Sequence, residues 1–159
     1  MKTAICLIGN NPNIFQTQDV YPDSTLFTSV DLGSFEHNIE KLAHDKQNYE
    51  LNTKQVFDIC VYINADTNLV LPQLETNIQP NTLYAMSEYT SAPTDLFFHY
   101  LPPLKINTDF FYCDSKTFNL MSLYRKWQRM ISNQQPVPED SMLYLHMMSV
   151  GIKNKRISL

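Results

Sequence analysis

Phe57-Asp58-Ile59-Cys60-Val61-Tyr62-Ile63-Asn64-Ala65-Asp66-Thr67-Asn68-Leu69-Val70-Leu71 changes character twice along its length. An apolar run, Ile59 to Ile63, meets the polar cluster Asn64 to Asn68 and then returns to Leu69-Val70-Leu71. A short run rich in β-branched and aromatic residues fits a buried strand, because such side chains pack well on a pleated surface. The Asp66 carboxylate and the Asn64 and Asn68 amides then fall just past the strand's C-terminal end. Open α/β sheets bind ligands in that crevice.

Working outward toward the N-terminus, Met1 to Gly9 reads as a first buried strand, closed by the Asn10-Asn11-Pro12-Asn13 loop with its turn-forming residues. Thr25 to Val30 reads as a second strand. From Ser34 to about Tyr49 the spacing predicts a helix, with Phe35, Ile39, Leu42 and Ala43 on one face and Glu36 favourably placed against the helix dipole. His37 and His44 lie two turns apart on that helix, about 10 Å along its axis, and are expected as a solvent-facing pair rather than metal ligands.

Toward the C-terminus, Pro80-Asn81-Thr82 turns into a strand over Leu83 to Met86. Ser87 to Leu104 is interrupted by Pro93, Pro102 and Pro103 and concentrates Tyr89, Phe97, Phe98, His99 and Tyr100, rings that could stack on sugars or pack into the core. Asp114 or Ser115 caps a helix predicted over Thr117 to Ile131, whose Arg125, Lys126 and Arg129 are expected on a solvated flank. Pro138, Glu139 and Asp140 open a last helix to about Ser149, ended by Gly151, with His146 expected in its apolar face. The tail from Ile152 to Leu159 is expected to add an edge strand through Ile157.

The composition narrows the function classes. At 159 residues, with 18% charged and 43% hydrophobic side chains, the chain is long enough for one globular domain. A net charge of −4, with Lys153-Asn154-Lys155-Arg156 as the sole basic block, gives no nucleic-acid footprint. That block is expected as a solvated tail. Cys6, Cys60 and Cys113 are odd in number and lack zinc spacing, which points to a reducing, cytoplasmic setting without disulfides. No apolar run approaches the ~20 residues of a membrane span, so the chain is not expected to be integral to a membrane.

Residues 57–66 resemble the central signature of GT-A-fold glycosyltransferases of bacterial and viral surface-polysaccharide type, a Tyr-Asp pair, an apolar run and Arg-x-Arg-x-Asp. Asp66 matches the aspartate, while Tyr62 and Asn64 stand where the family has arginines. Gly9 and Asn10 resemble the family's opening strand-and-loop, with Pro12 at its arginine. Asp109-Phe110-Phe111-Tyr112-Cys113-Asp114-Ser115 resembles its second motif, and residues 138–146 its final helix. The resemblance implies a GT-A-like (Rossmann-like) three-layer sandwich around a mostly parallel mixed sheet. It also implies a nucleotide-sugar donor and a glycan or glycolipid acceptor. In this reading Gly9, Asn10 and Asn11 lie against the donor, Asp66 and Asn64 hold Mn²⁺ or Mg²⁺ on its diphosphate, and Asp109 orients or deprotonates the acceptor hydroxyl. Arginines supply bidentate phosphate contacts that amides do not. The alternative is therefore a catalytically degenerate scaffold acting as a binding or interaction protein. A metal-dependent nuclease using Asp66, Asp109 and Glu139 is disfavoured by the acidic balance.

Overall fold

The computed structural model describes residues 1–9, 17, 19–67, 69–89, 104–131 and 139–158. Asn10, Asn11 and the cluster Phe97, Phe98, His99 and Tyr100 lie outside them. Six strands, β1 (Thr3–Ile8), β2 (Ser24–Ser29), β3 (Ile59–Asn64), β4 (Thr82–Tyr89), β5 (Leu104–Cys113) and β6 (Lys153–Arg156), form one mixed sheet in the order β2-β1-β3-β5-β4-β6. Only β5 runs against its neighbours, so the expected mostly parallel mixed sheet is present.

Alternation along the strands separates two cores. Ala4, Cys6, Ile8, Cys60, Tyr62, Leu83, Ala85, Phe111 and Cys113 face helices α1 (Phe35–Thr53), α2 (Ser115–Met121), α3 (Tyr124–Ile131) and α4 (Glu139–Ser149). Ile5, Leu7, Ile59, Val61, Ile63, Tyr84, Phe110 and Tyr112 face the other way. That second face is covered by the connection between β3 and β4, through Ala65, Leu69, Leu71, Leu74 and Ile78. Three tyrosine hydroxyls pin this cover. Tyr21 Oη donates to the Pro72 carbonyl at 2.6 Å, while the Glu75 and Gln79 amides donate to Tyr112 and Tyr84 at 3.4 and 2.9 Å. The sheet is thus the middle of three layers. Among the described residues, no helix is long and apolar enough to cross a membrane.

Element ends follow their chemistry. Asp114 caps α2 as expected, its Oδ1 accepting from Thr117 N at 2.7 Å. The single helix expected from Thr117 to Ile131 is broken at Ser122 and Leu123. Ser122 Oγ bonds back to the Asn119 carbonyl at 2.6 Å, and Leu123 N tightens onto Leu120 O at 3.2 Å. The break turns Tyr124 and Trp127 toward the imidazole of His146, with ring centroids 5.5 and 5.6 Å away.

His146 is fully buried, as expected of a core histidine. It faces the Leu120 carbonyl through Nε2 at 3.1 Å, and its Nδ1 has no partner among the described residues. Burial holds its pKa below the ordinary value, against the smaller opposing effect of the Leu120 carbonyl. The unfolded chain therefore binds the proton more readily. Stability contributed by neutral His146 is complete above about pH 6.5 and is lost as pH falls from there toward the folded-state pKa. Melting temperatures scanned from pH 7.5 to 5 should drop for the wild type and drop less for His146→Leu; equal slopes would refute this.

The C-terminal basic block is not a solvated tail. Lys153 to Arg156 form β6, paired parallel to β4 at the sheet edge. Ile152 anchors it in the helix-side core and Ile157 against the opposite one, while Lys155 pairs with Glu75 at 3.1 Å. A row of charged side chains on an edge strand also discourages pairing with another chain.

The three cysteines, remote in sequence, share one region. Cys60 is registered against Ala4 of β1 and Cys113 of β5, and Cys6 lies two residues along β1. Burial pushes all three thiols up, Cys60 to about 12, which leaves them unreactive hydrophobes in the folded protein.

Candidate functional site at the carboxyl edge of the sheet

Parallel strands β1, β2 and β3 deliver their C-terminal ends to one edge of the sheet. β1 ends at Ile8, and Gly9 follows with φ +148°, a conformation that side-chain-bearing residues rarely adopt. Its amide extends the β1–β2 ladder to Ser29 O at 3.2 Å. The Ala65 amide extends the β1–β3 ladder to Ile8 O at 2.7 Å. These two bonds bring the turn after β3 directly onto Gly9. A Cβ placed on Gly9 would stand 3.0 Å from Asp66 Oδ1 and 3.2 Å from Ala65 Cβ. The absent side chain at position 9 is what gives the Asp66 carboxylate its place.

Asn64 shapes that turn. Its Oδ1 accepts from Asp66 N at 3.1 Å, and its carbonyl accepts from Thr67 Oγ1 at 2.7 Å. Asp66 is exposed. Beneath the turn, on the face away from the helices, lies a cavity of about 40 Å³ lined by Leu7, Ile63, Asn64 and Leu69, room for a water or two rather than a nucleotide.

Asp109 reaches the same edge from β5. The last β3–β5 ladder pair is Ile63 with Phe110, so Asn64 and Asp109 are the next residues along the two strands. On its other side β5 slips against β4. Ala85 pairs with Phe111, but Ser87 already pairs with Ile106, so residues 107–110 bulge opposite Met86. Asn107 Oδ1 accepts from Asp109 N at 2.7 Å and fixes the bulge. Bulges of this kind redirect side chains at sheet edges.

Position 62 belongs to the core. Tyr62 is buried, stacked on Phe111 at 4.9 Å and met edge-on by Phe35 at 5.3 Å. Burial raises its hydroxyl's pKa, a hydrogen bond from Asn38 lowers it, and the nearby Asp31 and Asp109 charges raise it. Asp31 is a carboxylate that motif reading passed over, although Asp-Leu-Gly-Ser ahead of a helix is a turn signal. Its Oδ1 accepts from Gly33 N at 2.9 Å and from Asn38 Nδ2 at 3.1 Å, bonds that hold its carboxyl below the usual range.

The edge thus gathers Gly9, Asn64, Asp66, Asp109 and, from the loop after β2, Asp31. Among the described residues no three His, Cys, Asp or Glu side chains converge on one cation position. His37 and His44 are exposed on α1, with Ser34 and Asn48 as their partners. Of the predicted helix-flank cations, Arg125 pairs with Glu40 of α1 at 2.9 Å. No protein-family model matches the chain, and no curated protein matches it either.

Proposed function

We propose that the protein is a compact GT-A-like glycosyltransferase that moves a sugar from a nucleotide-sugar donor to a glycan or glycolipid acceptor. The observation that carries this reading is the fit of Asp66 against the Cβ-free face of Gly9, beyond the C-terminal ends of two adjacent parallel strands. That is where α/β sheets hold ligands, and two of the signature positions meet there.

The donor set suits a hard divalent cation that brings most of its own ligands. One exposed carboxylate and one amide oxygen, with no cluster of three acidic, histidine or cysteine side chains among the described residues, match magnesium or manganese bound mainly through substrate phosphate and water. When bound, the cation supplies Lewis-acid stabilisation of the departing nucleoside diphosphate. Asp66 is its carboxylate anchor in this reading, and Asn64 sets the carboxylate's direction through the turn. Asp109, carried by the bulge to a position beside Asn64, orients the acceptor hydroxyl and receives its proton. Gly9 lets the chain approach closely at the strand end.

A second reading keeps the scaffold without the chemistry. It draws on Tyr62, which is committed to the aromatic core where the family places a phosphate-binding arginine. A thermal-shift panel of nucleoside diphosphates and nucleotide sugars, with and without manganese, separates the two. A rise in melting temperature that requires both nucleotide and manganese supports the transferase; a flat panel leaves the binding scaffold.

A further inference from the structure

A second opening lies on the same sheet edge, beyond the bulge. β6 stops opposite Ala85, so the end of β4 has no strand on that side, while on the other side β5 bulges opposite Met86 before it resumes pairing at Ser87 with Ile106. The result is a crevice of about 390 Å³, within the size range of small-molecule pockets. Its polar lining is Ser87 and Glu88 from β4, Lys105 and Asn107 from β5, and Arg156 and Ser158 from the end of β6. Asn107 is the residue whose side chain fixes Asp109. The crevice therefore adjoins the candidate base through one hydrogen bond.

Its charge is opposite to that of the chain. Lys105 stands across the ladder from Glu88, and Arg156 adds a second cation, so the lining is net positive in a protein of charge −4. The nearby carboxyl edge, with Asp31, Asp66 and Asp109, is negative. The other two cations of the basic block are spent elsewhere or point elsewhere. Lys155 pairs with Glu75 on the cover layer, and Lys153 does not line the crevice. Guanidinium and ammonium groups facing hydroxyls and an amide form a site for a polyhydroxylated ligand that carries one anionic group.

We infer that this crevice is the acceptor subsite and that it selects an acidic sugar, one bearing a carboxylate or a phosphate, through Arg156 and Lys105. The assignment as acceptor subsite rests on the transferase reading; the selection of an acidic sugar does not. Methyl β-glucuronide, methyl glucoside 6-phosphate and the neutral methyl glucoside distinguish the possibilities, titrated into the labelled full chain and followed by amide chemical shifts.

At least one anionic sugar should shift Ser87, Lys105, Asn107 and Arg156, and should bind about tenfold more tightly than the neutral glucoside. A preference for the glucuronide identifies a carboxylate, and one for the phosphate ester identifies a phosphate. Arg156→Ala and Lys105→Ala should each weaken binding by up to about tenfold. Both side chains are exposed, so the melting temperature should be unchanged, and so should any manganese–nucleotide response. Equal affinity for the neutral glucoside, shifts confined to other residues, or full affinity in both variants would overturn the inference. Acidic-sugar binding in a chain that ignores manganese–nucleotide keeps the selectivity and removes the transferase. The converse result keeps the transferase and removes the selectivity.

Discussion

Lys46→Ala should destabilise the protein by about 3–5 kcal/mol, because it leaves a nearly buried carboxylate without its cation. Lys46 is completely buried on the inner face of α1 and pairs with Glu50 one turn on. Its ammonium also donates to Ser115 Oγ at 2.7 Å. Ser115 donates in turn to Glu50 Oε2 at 2.9 Å, and Phe57 N donates to the same oxygen at 3.0 Å. The network therefore ties α1 to the start of α2 and to the chain entering β3. Removing the cation leaves Glu50 with two neutral donors in a region too dry to solvate its charge. Replacing the pair together, as in Lys46→Met with Glu50→Gln, removes both charges and should recover much of the loss. Urea denaturation of the wild type and the two variants checks this. A single variant within about 1 kcal/mol of wild type, or a double variant as unstable as the single, would contradict it.

Gly9→Ala should both strain the backbone and displace Asp66. The φ of +148° costs a side-chain-bearing residue roughly 1–3 kcal/mol, and the new methyl would lie 3.0 Å from Asp66 Oδ1. Either the turn after β3 shifts or the carboxylate rotates away, and cation–nucleotide affinity should fall at least about tenfold, the effect of losing one charge-assisted contact. Gly33→Ala is the matched control. Gly33 has φ +101°, but a Cβ there meets nothing within 4 Å. It should lose stability of the same order while keeping ligand affinity. If both variants bind alike, the packing of Gly9 on Asp66 has no bearing on the site.

Local signals were readable from sequence where one element decides its own structure. The apolar run after Asp58, the 35-39-42-43 stripe of α1 and the Asp114 cap each depend on near neighbours, and each is present. The location of Asp66 past a strand end was readable for the same reason. What was not readable depends on partners distant in the chain. Continuing the α1 stripe by three residues from Ala43 lands on Lys46, yet a lysine there reads as the edge of the stripe until Ser115 is known to lie beneath it. The meeting of three cysteines follows from β5 lying beside β3, and no local pattern gives that order. The bulge that carries Asp109 is a mismatch between β4 and β5 and belongs to neither strand alone. The edge strand expected of the tail through Ile157 is present, but the basic block from Lys153 taken alone reads as solvated because its own side chains bury little. Ile152 and Ile157, outside it, hold it as a strand. Tyr62 reads as a lost arginine in the signature and as a core aromatic in the fold, where it is stacked on Phe111.

The central claim is that the Asp66 carboxylate anchors a cation on a nucleoside diphosphate. Calorimetric titration of manganese–UDP and manganese–GDP into wild type and Asp66→Asn tests it most directly. The asparagine preserves the shape of the turn and removes only the charge. Saturable binding of at least one complex by the wild type, dependent on manganese and lost in Asp66→Asn at an unchanged melting temperature, is the predicted result. Equal binding by both proteins, or heat from neither, would contradict the donor site.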